Sequence, residues 1–256
     1  MTAYFKREFL AYFRSPIGWV CLALYALISG FYFASWIPAG GVNIASEMNF
    51  LSGTLFIIIP VITMRLFSEE RKSGTDVIMY TYPIRLAGVV VAKYLAALSL
   101  FLLMNGIVIV HMLFVSLFGG RIDATSFTSF IALILLGSVF IAIGTMASAV
   151  TENQIIASLI SFSVILLSQF ITVFSEQFRA LTVSLLSALN VFGISAEKIA
   201  GFGAGVEKAI NWLDPHIHLD GLFNGIFQVQ PLIFCISAVI VFLFVAYRMI
   251  EKRRWS

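Results

Sequence analysis

The sequence predicts an all-α integral membrane protein, and three observations support that fold class. Of its 256 residues, 60% are hydrophobic and only 11% charged, with a mean hydropathy of +0.99. Six apolar runs are long enough for the roughly 20 helical residues that a bilayer core demands. The charges gather in short islands between these runs, where water reaches them; one charge at the bilayer centre costs about 2.5–3.5 kcal/mol. The predicted architecture is six transmembrane helices, an N-terminal amphipathic interfacial helix, and a helical, re-entrant region on the outer face before the last span. All of it forms a single transmembrane domain covering residues 1–256.

Residues 1–15 open with the amphipathic helix: Phe5, Phe9 and Phe13 recur on one face, and Lys6, Arg7 and Arg14 supply cationic anchors. Ser15-Pro16 ends it, because the residue before a proline is pushed out of the helical region. Span one covers about 17–37, and Pro38-Ala39-Gly40-Gly41 forms an exit turn. Span two covers about 48–67, with Pro60 expected to kink it. A charged loop at 68–85 follows. Span three, about 86–118, exceeds what a bilayer needs, so it should tilt or extend, with Lys93 snorkelling. After the turn Gly119–Asp123 come span four (about 127–150), the short loop 151–154 and span five (about 155–174). The outer region, 175–230, is apolar but broken by glycine, proline and charge. Its stretch 178–195 is apolar enough for a seventh span, but an odd number would put one basic terminus outside. A pair of re-entrant or interfacial helices satisfies the parity, provided protein or a water-lined cavity surrounds it. Span six, about 231–247, leads into a basic tail.

Orientation follows from Lys and Arg. With both termini in the cytosol, 12 of the 16 basic residues lie inside; Arg121, Arg179, Lys198 and Lys208 lie outside. That distribution accounts for the basic pI of about 8.9; a net charge of +3 is no footprint for nucleic acid. No cleavable signal peptide is expected, since the first apolar run is long and follows an amphipathic segment.

Chemistry-bearing patterns are sparse. A phosphate-binding loop requires lysine after glycine, and none of the six lysines follows one. The glycine-rich Gly201–Gly205 reads as a turn on the outer face. Cys21 and Cys235 sit inside apolar runs as small hydrophobes. Within Asp214–Asp220, His216 and His218 at i and i+2 form a weak metal pattern, without a nearby cysteine or third histidine; a polar turn before a short helix explains them better. His111 is an ionisable group in the outer half of span three, so it is a candidate for the pathway or an outer gate together with His216 and His218. A neutral imidazole bonded to a neighbouring helix is the competing reading. Asn105 and Gln169 read first as inter-helix hydrogen bonds. Ser163 and Ser168 lack a base, so no nucleophilic centre is visible.

The densest polar feature is residues 68–76, where five of nine residues are ionisable: Glu69, Glu70, Arg71, Lys72 and Asp76. Alone it is a solvated turn. With its surroundings it resembles the membrane subunit of ABC exporters of the ABC-two permease class. That class carries E-R/E-x-x-G-T-x-x-x-L-x-x-x-P after the second span and a lysine early in the third. The chain has Glu70-Arg71-Lys72-Ser73-Gly74-Thr75, Met79, Pro83 and Lys93. Its opening, Phe5–Gly18, is similar to K-R-E-L-x-x-Y-F-x-S-P-I, and His218–Ile226 to H-F-x-x-F-x-x-G-I/V. Met79 for leucine and Asn224 for arginine are departures. Within the class, the gliding-motility-associated permease group is most similar.

The resemblance implies a non-catalytic permease in a bacterial cytoplasmic (inner) membrane, multi-pass with both termini cytosolic. It implies a dimer with a second permease copy or paralogue, a separate ABC ATPase subunit, and accessory envelope proteins as optional further partners. The chain would bind no cofactor or metal itself; ATP and magnesium would sit on the ATPase. Glu69, Glu70, Arg71, Lys72, Gly74, Thr75 and Asp76 would form the ATPase-coupling contact, beside the helix of Phe5, Lys6, Arg7, Phe9, Phe13 and Arg14. Three readings compete: a non-transporting anchor doing mechanical work on the envelope, a channel or ion-coupled carrier, and an intramembrane enzyme. Apart from His111 the spans show few of the mid-membrane charges that a carrier needs.

Overall fold

The computed structural model describes residues 2–37, 43–76, 85–188 and 195–254. The expected turn at 38–41, the motif positions Met79 and Pro83 with Tyr80–Tyr82, and Trp255 lie outside them. The described residues are helices and connecting turns, with no strand among them.

Helix α1 (Thr2–Arg14) ends where Ser15 turns extended, φ −107° and ψ 155°, and α2 (Pro16–Trp36) starts on Pro16. Proline suits that first position, since its missing N–H would have no helical partner there. The two helices meet closely: a Cβ on Gly18 would lie 2.5 Å from the Tyr12 carbonyl oxygen. Helix α3 (Ile44–Thr63) is capped by the Asn43 side chain, which accepts from Ser46 N–H. It continues three residues beyond Pro60, breaks at 64–67, and resumes as the short α4 (Ser68–Lys72). The break thus follows the proline by one turn, and the helix does not run to Phe67 as expected.

Helix α5 (Leu86–Leu117) is the longest, and Gly119 at φ +81° turns the chain. Helix α6 (Ala124–Val150) is the centre of the bundle, with 67% of its apolar window buried. Glycines let it pack closely: a Cβ on Gly144 would collide with Thr63 of α3, and one on Gly137 with the Phe101 ring of α5. Helix α7 (Gln154–Gln169) begins at the Asn153 cap. It is shorter than span five was expected to be. At 16 residues it is about 24 Å long, below the ~30 Å of a hydrocarbon core. The chain then bends by 62° into α8 (Ile171–Ala188), and only the bent pair is long enough to cross a bilayer. Gln169 marks the bend, its Nε2 donating to the Ser52 carbonyl at 3.5 Å.

The described residues of the outer region, expected to be helical and re-entrant, include three helices. α8 and α9 (Ala196–Asn211) pack as a hairpin along a narrow seam, with Gly203 against Val183 and an Arg179–Glu207 ion pair at 3.5 Å. α10 (Pro215–Phe223) rests on α6, where Ser129 Oγ donates to the Phe223 carbonyl. α11 (Gln230–Arg254) runs past the expected span end, and Arg253 donates to the Val150 carbonyl at the end of α6. Among the described residues, five helical segments are long and apolar enough to cross a membrane, and the α7–α8 pair makes up to a sixth.

Candidate coupling site

The charged loop and the amphipathic helix meet at one end of the bundle. Lys93, two turns into α5, is 1% exposed, so it does not snorkel to water as expected. Its Nζ lies 3.1 Å from Glu8 Oε2 of α1 and 3.1 Å from Glu70 Oε2 of α4. Arg7 closes the group, pairing with Glu8 at 2.8 Å and with Glu70 at 2.9 Å. Two cations face two carboxylates, so the site is balanced. A buried ammonium is tolerable only with such partners. Tyr4 donates to Glu70 Oε1 at 3.2 Å; burial, then the Glu70 and Glu8 carboxylates, raise its phenol well above the ordinary range, so it remains a donor. The Phe67 ring lies 5.2 Å from Nζ and screens it from the bundle side.

A second tie sits one helix turn before Glu69. Arg65 donates to Ser15 Oγ at 2.6 Å and to the Ala11 carbonyl at 3.0 Å, and pairs with Glu69 at 3.5 Å. A guanidinium on the last-turn carbonyls of α1 opposes the negative end of that helix. Tyr12, buried, donates to the Ile62 carbonyl at 2.9 Å. From α6, Ser148 Oγ accepts from Phe67 and Ser68 N–H at 2.9 and 3.2 Å. It thereby satisfies donors at the start of α4 that have no helical partner.

Beyond α4 the chain reverses. Thr75 N–H bonds to the Glu70 carbonyl and Gly74 N–H to the Arg71 carbonyl. Gly74 is at φ +69°, the left-handed position that favours glycine at a helix end. The predicted coupling residues therefore divide. Glu69, Lys72, Gly74 and Thr75 are exposed and Asp76 half-buried, whereas Glu70 turns to Lys93 and Arg71 is buried. Along α1, Phe5 stacks on Phe9 at 6.0 Å and Phe9 meets Phe13 edge-to-face at 5.2 Å, all half-buried, while Lys6, Arg7 and Arg14 are exposed. Sequence reasoning missed the inward stripe of α1, namely Tyr4, Glu8 and Tyr12, as well as Arg65 and Ser148. The four-residue spacing of that stripe was legible; Ser148 had no signal.

At the other end, His111 Nδ1 lies 2.7 Å from Glu47 Oε1, and Ser29 Oγ donates to the same oxygen at 2.6 Å. Glu47 is fully buried; it fell just before the expected start of span two and went unnoticed. Phe33 stacks on His111 with centroids 4.2 Å apart. Tyr25 donates to Asn105 Oδ1 at 2.8 Å. His216 and His218 diverge. Asp214 caps α10, accepting from His216 N–H at 2.8 Å and from Thr172 Oγ1 at 3.1 Å. His216 is turned inward near Phe140, and burial lowers its pKa against the opposing pull of Asp214. His218 stacks on Phe234 at 3.9 Å. Among the described residues no three His, Cys, Asp or Glu side chains converge as a metal site.

Helices of spanning length, with an N-terminal helix and an inter-span loop clamped together at one end, define a multi-pass membrane protein. The chain belongs to the ABC-2 family of transporter proteins: the family's model matches residues 2–255. Members are membrane transport components that normally work with an ABC ATPase subunit. No curated protein matches the chain.

Proposed function

We propose that the chain is the non-catalytic permease subunit of an ATP-driven exporter, docking on a separate ABC ATPase through residues 68–76. The observation that carries this reading is the buried Lys93 between Glu8 and Glu70. It ties α1, α4 and the long α5 at one point, so a push on α4 is delivered to membrane helices rather than dissipated in a loop. The exposed Glu69, Lys72, Gly74 and Thr75, with Asp76, make the contact; Glu70 and Arg71 anchor it from behind. ATP and magnesium reside on the ATPase, and the permease pairs with a second copy or a paralogue. The basic residues at this end support cytosolic termini in a bacterial inner membrane. Motif likeness supports a relationship to the gliding-motility-associated permease group.

Co-purification in mild detergent with a co-expressed candidate ATPase tests the reading. Wild type retains the ATPase, Lys72→Glu/Thr75→Glu loses it, and Glu70→Ala/Arg71→Ala weakens it. If the chain purifies alone with each candidate, the exporter reading fails. One observation favours an ion-coupled carrier instead, the buried Glu47–His111 pair. Ser29 and Phe33 close that pair within the helix packing, which supports a role in holding helices together.

A further inference from the structure

We infer that Ser29, Glu47 and His111 form a latch pinning the far half of α2 to α3 and α5, and that α2 is the helix released when the coupling end moves. The second clause rests on the permease reading above; the first does not. Helix α2 is weakly held. Only 22% of its apolar stretch is buried, against 56% for the α3–α4 segment and 67% for α6; α11, at 17%, is less buried still, but its end is tied to α6 through Arg253. Its buried residues form a single seam of Gly18, Cys21, Tyr25 and Ser29. In lipid, exposed apolar surface gives no drive to pack helices, so packing and polar bonds must hold α2 in place. The two upper members of the seam are both hydroxyls bonded to other helices: Tyr25 to Asn105 and Ser29 to Glu47.

Glu47 is arranged so that it keeps a partner when α2 leaves. Its Oε1 takes both Ser29 and His111, while Oε2 is buried without a hydrogen-bond partner. Removing Ser29 leaves the α3–α5 tie intact, because His111 Nδ1 remains on the carboxyl. The near end of α2 follows different partners. Gly18 abuts Tyr12, and Trp19 Nε1 donates to the Phe13 carbonyl, so α2 begins on α1. Helix α1 is in turn held by Arg65 and Glu70 beside α4. Motion of α4 and α1 therefore reaches α2 at its base, and the latch decides whether its far half follows.

The test is hydrogen–deuterium exchange on the full chain in lipid nanodiscs, read over residues 25–36. A buried side-chain hydrogen bond holds local opening down by up to about tenfold. Ser29→Ala should raise exchange in that segment by up to about tenfold while leaving the surroundings of Glu47 and His111 unchanged; Glu47→Leu should loosen all three. Unchanged exchange in Ser29→Ala, or equal loosening of α6, overturns the latch. In the complex with the ABC ATPase, a non-hydrolysable ATP analogue should bring wild-type α2 to the Ser29→Ala level. A flat response with the ATPase bound overturns release of α2 while leaving coupling standing. Failure of any ATPase to bind overturns the permease reading, and with it release, leaving the first arm to judge the latch.

Discussion

Helix α5 carries a polar cluster near each end, about 27 Å apart from Lys93 to His111, and the two are built on opposite principles. At Lys93 two cations share two carboxylates, and Arg7 remains 58% exposed; water borders the group and each charge has more than one partner. At His111 a single carboxyl, fully buried, meets Ser29 and His111 on one oxygen. A shared, water-bordered network tolerates displacement of its members; a dry pair either stays together or separates. The near cluster suits an element that must be pushed, and the far one an element that must be released.

Several substitutions sharpen that contrast. Lys93→Met should have the largest effect. Breaking a buried pair costs roughly 3–5 kcal/mol, reduced here because Glu8 and Glu70 border water. Thermal unfolding in detergent should show the loss, and adding Glu8→Gln should recover part of it, since the two changes share one network. Gly144→Val tests the packing between the clusters: overfilling a tight helix contact costs about 1–3 kcal/mol. Gly53→Ala is the control, because a Cβ there meets nothing within 4 Å, and it should be neutral or stabilising by up to about 1 kcal/mol. Ser148→Ala should cost about 1 kcal/mol by uncapping α4, with a matching rise in exchange at Phe67 and Ser68.

The smallest effect is a pH slope from His216. Burial lowers its folded pKa, so the folded state takes up a proton less readily than the unfolded chain, where histidine titrates near about 6.5. Its contribution is whole above that value and is lost as pH falls toward the folded pKa. Melting curves between neutral and mildly acidic pH should steepen accordingly, and His216→Gln should flatten that part of the slope.

Much of the fold was legible because it rests on hydropathy and on helix punctuation. Ser15-Pro16, Gly119-Gly120 and Asn153 fall at helix boundaries as expected. The bend after Gln169 was not legible, because serines are scattered through residues 155–174 and Ser168-Gln169 does not stand out from them; a contact to Ser52 of α3 marks it. At the site, the charge island was plain, but its division into inward and outward residues was not. Glu70 and Arg71 are adjacent to Glu69 and Lys72 in type as well as in order, and Lys93 of α5 with Tyr4 and Arg7 of α1, all distant in sequence, distinguish Glu70. Glu47 escaped because a carboxyl at the edge of an apolar run reads as belonging to water.

The most direct test of the account is ATPase turnover in nanodiscs, comparing wild type with Lys93→Gln at matched ATPase occupancy. If Lys93 transmits what α4 receives, the variant should retain the ATPase on the exposed 68–76 surface but lose the permease-dependent change in turnover. Unchanged turnover with the ATPase still bound would contradict the account, because α4 would then act on the membrane helices without the network that ties it to α5.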